Sequence, residues 1–224
     1  QPKLQMFRGT LLSLQIIIAV YAFHAHGLLE THAIFAFGPL LVVAMSGPVL
    51  GEKVGWRRWT AVGVGLCGML MILRPGTQVL SASMGIAIVA MIGFVIYGLS
   101  TRKVAKTDGA MTSFYYTGLF GAITMTFIGP FFWEVMTPTD NILMLILCAT
   151  GMTGHLMLIK AFEVAEAAAI QPFAYLQTVF AGGIGVLWFG EALSLWTVAG
   201  SAVVISAGLF ALWREQVAVR EAKS

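Results

Sequence analysis

The stretch Thr31–Gly76, THAIFAFGPLLVVAMSGPVLGEKVGWRRWTAVGVGLCGMLMILRPG, decides the fold. It contains an apolar helix with an internal proline, a Gly51-Glu52 stop, a basic hinge and a second apolar helix. Each apolar run is close to the ~20 residues that a helix needs to cross a bilayer core. The pair Gly51-Glu52 has a counterpart at Gly190-Glu191, and the relation between these two pairs organises the rest of the sequence.

The composition predicts a membrane protein. Of the 224 residues, 58% are hydrophobic and only 10% are charged, whereas soluble domains carry about 25% charged residues. Long continuous apolar runs favour transmembrane helices over the alternating strands of a β-barrel. The sequence therefore predicts an all-α polytopic membrane protein with eight transmembrane spans, at 9–27, 32–51, 57–75, 83–101, 111–132, 140–159, 167–190 and 195–213.

The basic residues predict the orientation of these spans. When the sides alternate at each span, twelve Lys and Arg residues lie on one side and only Arg74 lies on the other. Cytoplasmic loops of membrane proteins are enriched in Lys and Arg. We therefore expect both ends of the sequence, and the hinge 53–58, at the cytoplasmic face.

An internal repeat links the two halves of the chain. A shift of 139 residues places Ala22-Phe23 on Ala161-Phe162 and Gly51-Glu52 on Gly190-Glu191. Five predicted spans separate the two Gly-Glu pairs, so Glu52 is expected at the cytoplasmic face and Glu191 outside. Inverted repeats of this kind are typical of secondary transporters. Because the second repeat has five spans and the first only three, the pattern predicts two further N-terminal spans and ten in the intact protein.

The residues around the two Gly-Glu pairs resemble a known family. The segments GPLLVVAMSGPVLGEKVGWRRWTAVGVGLCGMLMILRPG and HLMLIKAFEVAEAAAIQPFAYLQTVFAGGIGVLWFGEALSLWTVAGSAVVISAGLF are similar to EamA domains of the drug/metabolite transporter superfamily. The form RG…AF…P…LGEKVGWRRW…LRPG is similar to the branch labelled S-adenosylmethionine-uptake or rhamnose-transporter-like. The resemblance implies the last three helices of a first repeat at 1–76, a short outer connection at 77–82, a second repeat at 83–214 and a cytoplasmic tail at 215–224.

The resemblance also implies the partners of the chain. We expect a small-molecule substrate, such as an amino-acid, nucleoside or S-adenosylmethionine-like solute, held in a central cavity. The expected environment is the lipid bilayer of a bacterial inner membrane. The resemblance also allows a homodimer with contacts between the glycine-containing spans 57–75 and 195–213, although close helix packing is the preferred interpretation of these glycines. No cofactor is expected, and the net charge of +3 does not indicate nucleic acid.

Polar groups within the spans are the candidates for lining the cavity, because a polar side chain inside a bilayer usually faces a cavity or a partner helix. No Asp or Glu falls in the middle of a predicted span. The candidates are Gln15, Pro39, Tyr97, Tyr115, Tyr116, His155, Pro172, Tyr175, Gln177 and Thr178. The two prolines each free a backbone carbonyl within a span. Interhelical hydrogen bonding is the alternative for every candidate, and for His155 it competes with proton transfer.

Two further groups of residues have other predicted roles. Gly51, Glu52, Gly190 and Glu191 are predicted to be structural or gate elements, because a carboxylate at a helix end can accept hydrogen bonds from free backbone N–H groups.

A second group contains residue types that often bind metals: His24, His26, Glu30 and His32. His24 and His26 lie two positions apart on a predicted helix and point away from one another, so no metal site is predicted.

These features together predict a secondary transporter that works by alternating access. The alternative is a membrane protein without transport, such as a sensor or an assembly partner. The sequence has no nucleophile–base constellation, P-loop or zinc-ligand spacing. An enzyme and an ATP-driven pump are therefore disfavoured.

Overall fold

The computed structural model describes residues 1–51, 56–73, 82–192 and 194–221, without the side chains of 57, 58, 82, 83, 168, 172, 212 and 214–221. Within these ranges the chain forms eight α-helices and a 3-10 turn, and no strand. The helices are α1 Pro2–Phe35, α2 Gly38–Leu50, α3 Trp56–Leu73, α4 Ala82–Val104, α5 Ala110–Ile128, α6 Pro138–Val164, α7 Ala167–Phe189 and α8 Leu195–Glu221, with the 3-10 turn at Gly129–Phe132.

The helices have the length and composition of membrane spans. Four described segments are long and apolar enough to cross a bilayer: Pro2–Phe35, Met84–Val104, Pro138–Val164 and Ala169–Phe189. Three shorter apolar helices cover Gly38–Leu50, Trp59–Leu73 and Leu195–Ala211. The predicted class, an all-α polytopic membrane protein, is confirmed.

Helix α1 contains a sharp turn at Gly27. This residue has φ 79° and ψ 174°, which lies outside the helical region. The Thr31 hydroxyl donates to the Ala22 carbonyl at 3.3 Å, and the rings of Phe23 and His32 stack at 4.9 Å. Residues nine apart in a straight helix are separated by about 13.5 Å along the axis. The chain therefore turns back at Gly27 and divides α1 into the arms 2–26 and 28–35.

The observed helix ends refine the predicted spans. The predicted break at 26–32 is helical apart from Gly27. Pro39 was expected inside a helix, but it lies in the first turn of α2, where a proline has no hydrogen bond to break. Part of the predicted tail at 215–224 continues α8 to Glu221. The outer connection at 77–82 lies almost wholly outside the described residues.

The chain divides into two compact units. Unit 1 contains Gln1–Leu14 and Ser100–Ala165, and unit 2 contains Gln15–Leu99 and Glu166–Ser224. In unit 1, α1 crosses α5 where both helices carry small residues. A Cβ atom on Gly9 would lie 2.9 Å from Phe120 Cβ, and one on Gly121 would lie 3.2 Å from Ser13 Oγ. Glycine at these positions therefore lets the two helices approach closely.

In unit 2, helices that correspond in the 139-residue repeat pack as pairs. The most extensive contacts join α3 to α8 and α2 to α7. The helical segment 28–50, which is kinked before α2, maps from end to end onto α7, Ala167–Phe189. Each of the two ends on a left-handed glycine, Gly51 with φ 74° and Gly190 with φ 64°. The segment 28–50 and α7 thus have equal length and the same kind of C-terminal glycine, and α2 packs against α7.

The contact between α3 and α8 is made at two facing glycines. A Cβ atom on Gly68 would lie 2.8 Å from the Gly200 carbonyl oxygen, and one on Gly200 would lie 2.6 Å from the Gly68 carbonyl oxygen. Small residues allow close helix approach within membranes. These glycines therefore serve packing within the chain.

Replacement of Gly68 by Leu is expected to destabilise the protein, because the new side chain meets backbone atoms that cannot move aside. Overpacking of this kind costs about 1–3 kcal/mol. The measurement is thermal unfolding of the purified protein in detergent. Gly63→Leu, on the same helix with nothing within 4 Å of its Cβ position, is the matched control and is expected to change the Tm little. Equal Tm values for the two variants would contradict the facing-glycine contact.

Candidate functional site

Unit 1 contains a fully buried arginine. Arg8 is 0% exposed and lies in the first part of α1. Its guanidinium donates to the Thr101 hydroxyl at 3.2 Å, to the Gln5 amide oxygen at 2.8 Å and to the Ser113 carbonyl. Burial of a charge is costly unless hydrogen bonds compensate it. These contacts join α1, α4 and α5 around one cation.

Gln5 extends this cluster to an acidic residue. Its amide nitrogen donates to Asp108 Oδ2 at 2.9 Å and to the Ser113 hydroxyl at 3.0 Å. Gln5 therefore accepts from Arg8 with its oxygen and donates toward Asp108 with its nitrogen. We call Gln5, Arg8, Thr101, Asp108 and Ser113 the Arg8 cluster. It gives unit 1 a polar interior at the end of the helices predicted to be cytoplasmic.

Arg8 was predicted only as a charge that sets the orientation of the chain, and the cluster was not predicted. The spacing of polar residues along α1 carries a signal for it. Gln5, Arg8, Leu12 and Gln15 follow one another at spacings of three and four residues, which place them on one face of a helix. All four are buried. Three polar residues on the packed face of a transmembrane helix indicate a polar interior. This holds even if the charge of Arg8 also helps to set the orientation of the chain in the membrane.

A cavity of about 540 Å³ lies beside α5 and α6 in unit 1. Its walls are mostly apolar and include Tyr115, Thr117, Met152 and His155. The Thr117 hydroxyl donates to the Ser113 carbonyl at 2.8 Å, and that same carbonyl accepts from Arg8. The cavity therefore adjoins the Arg8 cluster. Of the predicted cavity residues, the structure brings Tyr115 and His155 together here.

Tyr116 is half-buried beside this cavity and is not among its lining residues. Its ring stacks with Phe120 at 6.1 Å and meets Tyr115 edge to face at 5.9 Å. Tyr116 therefore packs against Tyr115, which lines the cavity.

The predicted residues of unit 2 fall in several environments. Gln15 is buried on α1, where a Cβ atom on Gly93 of α4 would lie 3.0 Å from its Cγ. Tyr97 is fully buried on α4.

The predicted residues on α7 differ in exposure. Tyr175 is buried, and its hydroxyl fills the space beside Gly208 of α8, so it packs between α7 and α8. Further along α7, Gln177 is exposed and Thr178 is half-buried.

The two predicted prolines differ in how far they can be placed. Pro39 is buried in the first turn of α2, whereas only the backbone of Pro172 is described, in α7. The Pro172 side chain is outside the description. Glu52 also lies outside the described residues, whereas its neighbour Gly51 ends α2 in the left-handed conformation.

Glu191 makes a specific contact with the turn at Gly27. Its two carboxylate oxygens accept from the backbone N–H groups of Leu28 at 2.6 Å and of Leu29 at 2.7 Å. These N–H groups are the first of the arm 28–35 and lack partners within their own helix. The Glu191 backbone N–H donates to the Gly185 carbonyl at 3.0 Å, which fixes the residue at the end of α7. We call this contact the Glu191 clasp.

The histidines near this turn make local contacts. His32 Nδ1 lies 2.9 Å from the Leu28 carbonyl oxygen, and the ring stacks on Phe23. Within the part of the chain that the structure describes, no group of three or more His, Cys, Asp or Glu residues is placed to hold a metal ion.

Comparison with known proteins gives a family and several transporters. The model of the EamA-like transporter family matches residues 82–213. The chain is 23% identical over 216 residues to the S-adenosylmethionine uptake transporter of Rickettsia prowazekii, covering 96% of this chain and 74% of that protein. It is 26% identical over 202 residues to the riboflavin transporter of Vibrio cholerae, covering 84% of this chain and 64% of that protein. No solved structure matches the chain.

Replacement of Arg8 by Met is expected to lower the free energy of unfolding by an amount on the order of 3 kcal/mol, because the buried partners lose their donor. Thermal unfolding in detergent measures the loss. Lys3→Met is the matched control, since Lys3 is an exposed cation on the same helix. If Arg8 served only as an orientation charge, the two variants would have the same Tm.

The stability of unit 1 is expected to depend on pH through Asp108, which lies between α4 and α5. Hydrogen bonds from Gln5 and from the Thr107 hydroxyl hold the pKa of Asp108 below its ordinary value. The carboxylate therefore stabilises the fold above the unfolded pKa of about 3.9. This contribution is lost as the pH falls through the folded pKa.

The difference in Tm between the wild type and Asp108→Asn measures this contribution. It is expected to narrow as the pH is lowered below about 4. A difference in Tm between the two proteins that stays the same from pH 7 to below pH ~4 would show that the ionised Asp108 carboxylate does not stabilise the fold.

Proposed function

The chain belongs to the EamA-like transporter family, and from this membership we propose that it is a secondary transporter that moves a small organic metabolite by alternating access. We further propose an amino-acid, nucleoside or S-adenosylmethionine-like solute as substrate. The observation that carries this choice is the similarity to an S-adenosylmethionine uptake transporter along 96% of the chain. Because the chain is also similar to a riboflavin transporter, other heteroaromatic solutes should be tested as substrates as well.

The packing of unit 2 supports alternating access. Secondary transporters built from inverted repeats move one repeat against the other during the transport cycle. Here α2 lies against α7 and α3 lies against α8, and the 139-residue register makes the members of each pair equivalent. The excess of Lys and Arg on one predicted side supports cytoplasmic ends for the first and last helices.

The cavity beside α5 and α6 supports a heteroaromatic or sulfonium-bearing solute. Its volume of about 540 Å³ falls in the range of small-molecule sites, about 300–1,000 Å³. Phe114 and Tyr115 provide aromatic surface, and Met111 and Met152 provide polarisable sulfur. Aromatic faces attract cations and stack on flat rings. We propose that this wall receives the ring or the sulfonium group of the substrate.

Uptake into liposomes that contain the full-length protein tests the transporter proposal. Labelled S-adenosylmethionine, riboflavin, an amino acid and a nucleoside are supplied one at a time, with and without a pH gradient. We expect saturable uptake of at least one of them above protein-free liposomes. Absence of flux with every solute would favour the alternative of a membrane sensor or assembly protein.

Replacement of Tyr115 by Ala tests the proposed cavity wall. Loss of ring stacking is expected to raise the half-saturation concentration roughly five- to tenfold. Phe127→Ala is the matched control, because Phe127 is an exposed aromatic residue on the same helix outside the cavity lining. Equal half-saturation concentrations for the two variants would place substrate recognition elsewhere.

A further inference from the structure

We propose that Glu191 is a positioning residue for transport, whose carboxylate closes one end of the pathway by clasping the backbone at Gly27–Leu29. In the arrangement seen here both hydrogen bonds of the clasp are formed. When the pathway opens at this face, the two N–H···O bonds to Leu28 and Leu29 are broken. The inference rests on the proposed transport function and assigns a cycle-dependent contact to a residue outside the cavity.

The geometry of the clasp uses both oxygens of the carboxylate. Leu28 N–H donates to Oε1 and Leu29 N–H donates to Oε2, at 2.6 and 2.7 Å. Hydrogen bonds to a charged acceptor are shorter and stronger than those between neutral groups. Because the donors are backbone groups, the contact depends on the conformation of the turn at Gly27. A change in that turn therefore disrupts both bonds together.

The surrounding glycines make room for the carboxylate. A Cβ atom on Gly27 would lie 2.7 Å from Glu191 Oε1, and one on Gly185 would lie 2.8 Å from Oε2. A side chain at either position would displace the carboxylate. The clasp thus depends on two glycines, one in each of the elements that it joins.

Glycines with positive φ lie on both sides of the contact. Gly27 and Gly190 both have positive φ, and a Cβ position on Gly190 has nothing within 4 Å. The clasp joins the end of α7 to the start of the helical segment 28–50, which are corresponding helices of the two repeats. Opening at this face requires the two ends to part, and the clasp is a direct polar contact that resists it.

A substrate-dependent labelling experiment tests the proposal. Leu29, whose Cδ1 lies 3.1 Å from the Cβ position of Gly182 on α7, is replaced by Cys in a full-length Cys67→Ser/Cys148→Ser background. A membrane-impermeant maleimide is added from the predicted outer side of liposomes. We expect the labelling rate to change when a transported solute is added. We also expect Glu191→Gln to raise the rate about tenfold, because a charge-assisted hydrogen bond is lost.

Transport kinetics separate a cycle-dependent contact from a merely structural cap. Glu191→Gln is expected to lower both the external half-saturation concentration and the maximal rate, because the outward-open state gains population while closing is impaired. Glu191→Asp retains the charge and is expected to restore part of the maximal rate. Glu134→Gln is the matched control, since Glu134 is an exposed acid on the same predicted side.

Two results would overturn the inference. One is a labelling rate of Leu29→Cys that responds neither to a transported solute nor to Glu191→Gln. The other is a loss of maximal rate in Glu191→Gln without any change in labelling. If Glu191→Gln does not fold, the response of Leu29→Cys to solute in the otherwise unaltered protein still decides. A changed labelling rate without transport of any solute would instead contradict the proposed function and leave the clasp as a conformational contact.

Discussion

A break between two helical segments leaves the first N–H groups of the second segment without partners in their own helix, and each of them needs an acceptor from elsewhere. Gly27 creates such a break, and the carboxylate of Glu191 satisfies the two N–H groups that follow it. The helical segment 28–50 can therefore start immediately after the turn, and it has the same length as α7. The two segments correspond in the 139-residue register, and α2 packs against α7.

The Arg8 cluster applies the same constraint to a side chain. A guanidinium within a helical bundle is tolerated when hydroxyl, amide and carbonyl oxygens surround it, and Thr101, Gln5 and Ser113 provide these oxygens. The cluster fixes the approach of α1 to α5, which Gly9 and Gly121 make sterically possible. The adjoining cavity, with Tyr115 and His155 in its wall, therefore has a polar, hydrogen-bonded border beside mostly apolar walls.

Hydrophobic runs and stop signals allowed the fold class and most helix ends to be predicted, since they depend on local sequence. The Gly-Glu repeat predicted Gly51 and Gly190 as matching helix ends for the same reason. The partner of Glu191 could not be predicted, because it is a backbone segment 162 residues away in sequence. The cluster around Arg8 was not predicted, because a count of charges does not consider which face of the helix carries them. Tyr175 packs beside Gly208, and composition alone does not separate such a contact from a cavity position.

Solute counterflow tests the central claim, transport by alternating access, most directly. Liposomes containing the full-length protein are loaded with unlabelled S-adenosylmethionine and diluted into a trace of the labelled compound. If the protein transports this solute by alternating access, the label is expected to accumulate transiently above its equilibrium level. The reason is that unlabelled solute inside the liposome speeds the return of the binding site to the outer face. Uptake that never exceeds equilibrium, for this solute and for riboflavin, amino acids and nucleosides tested in the same way, would contradict the account.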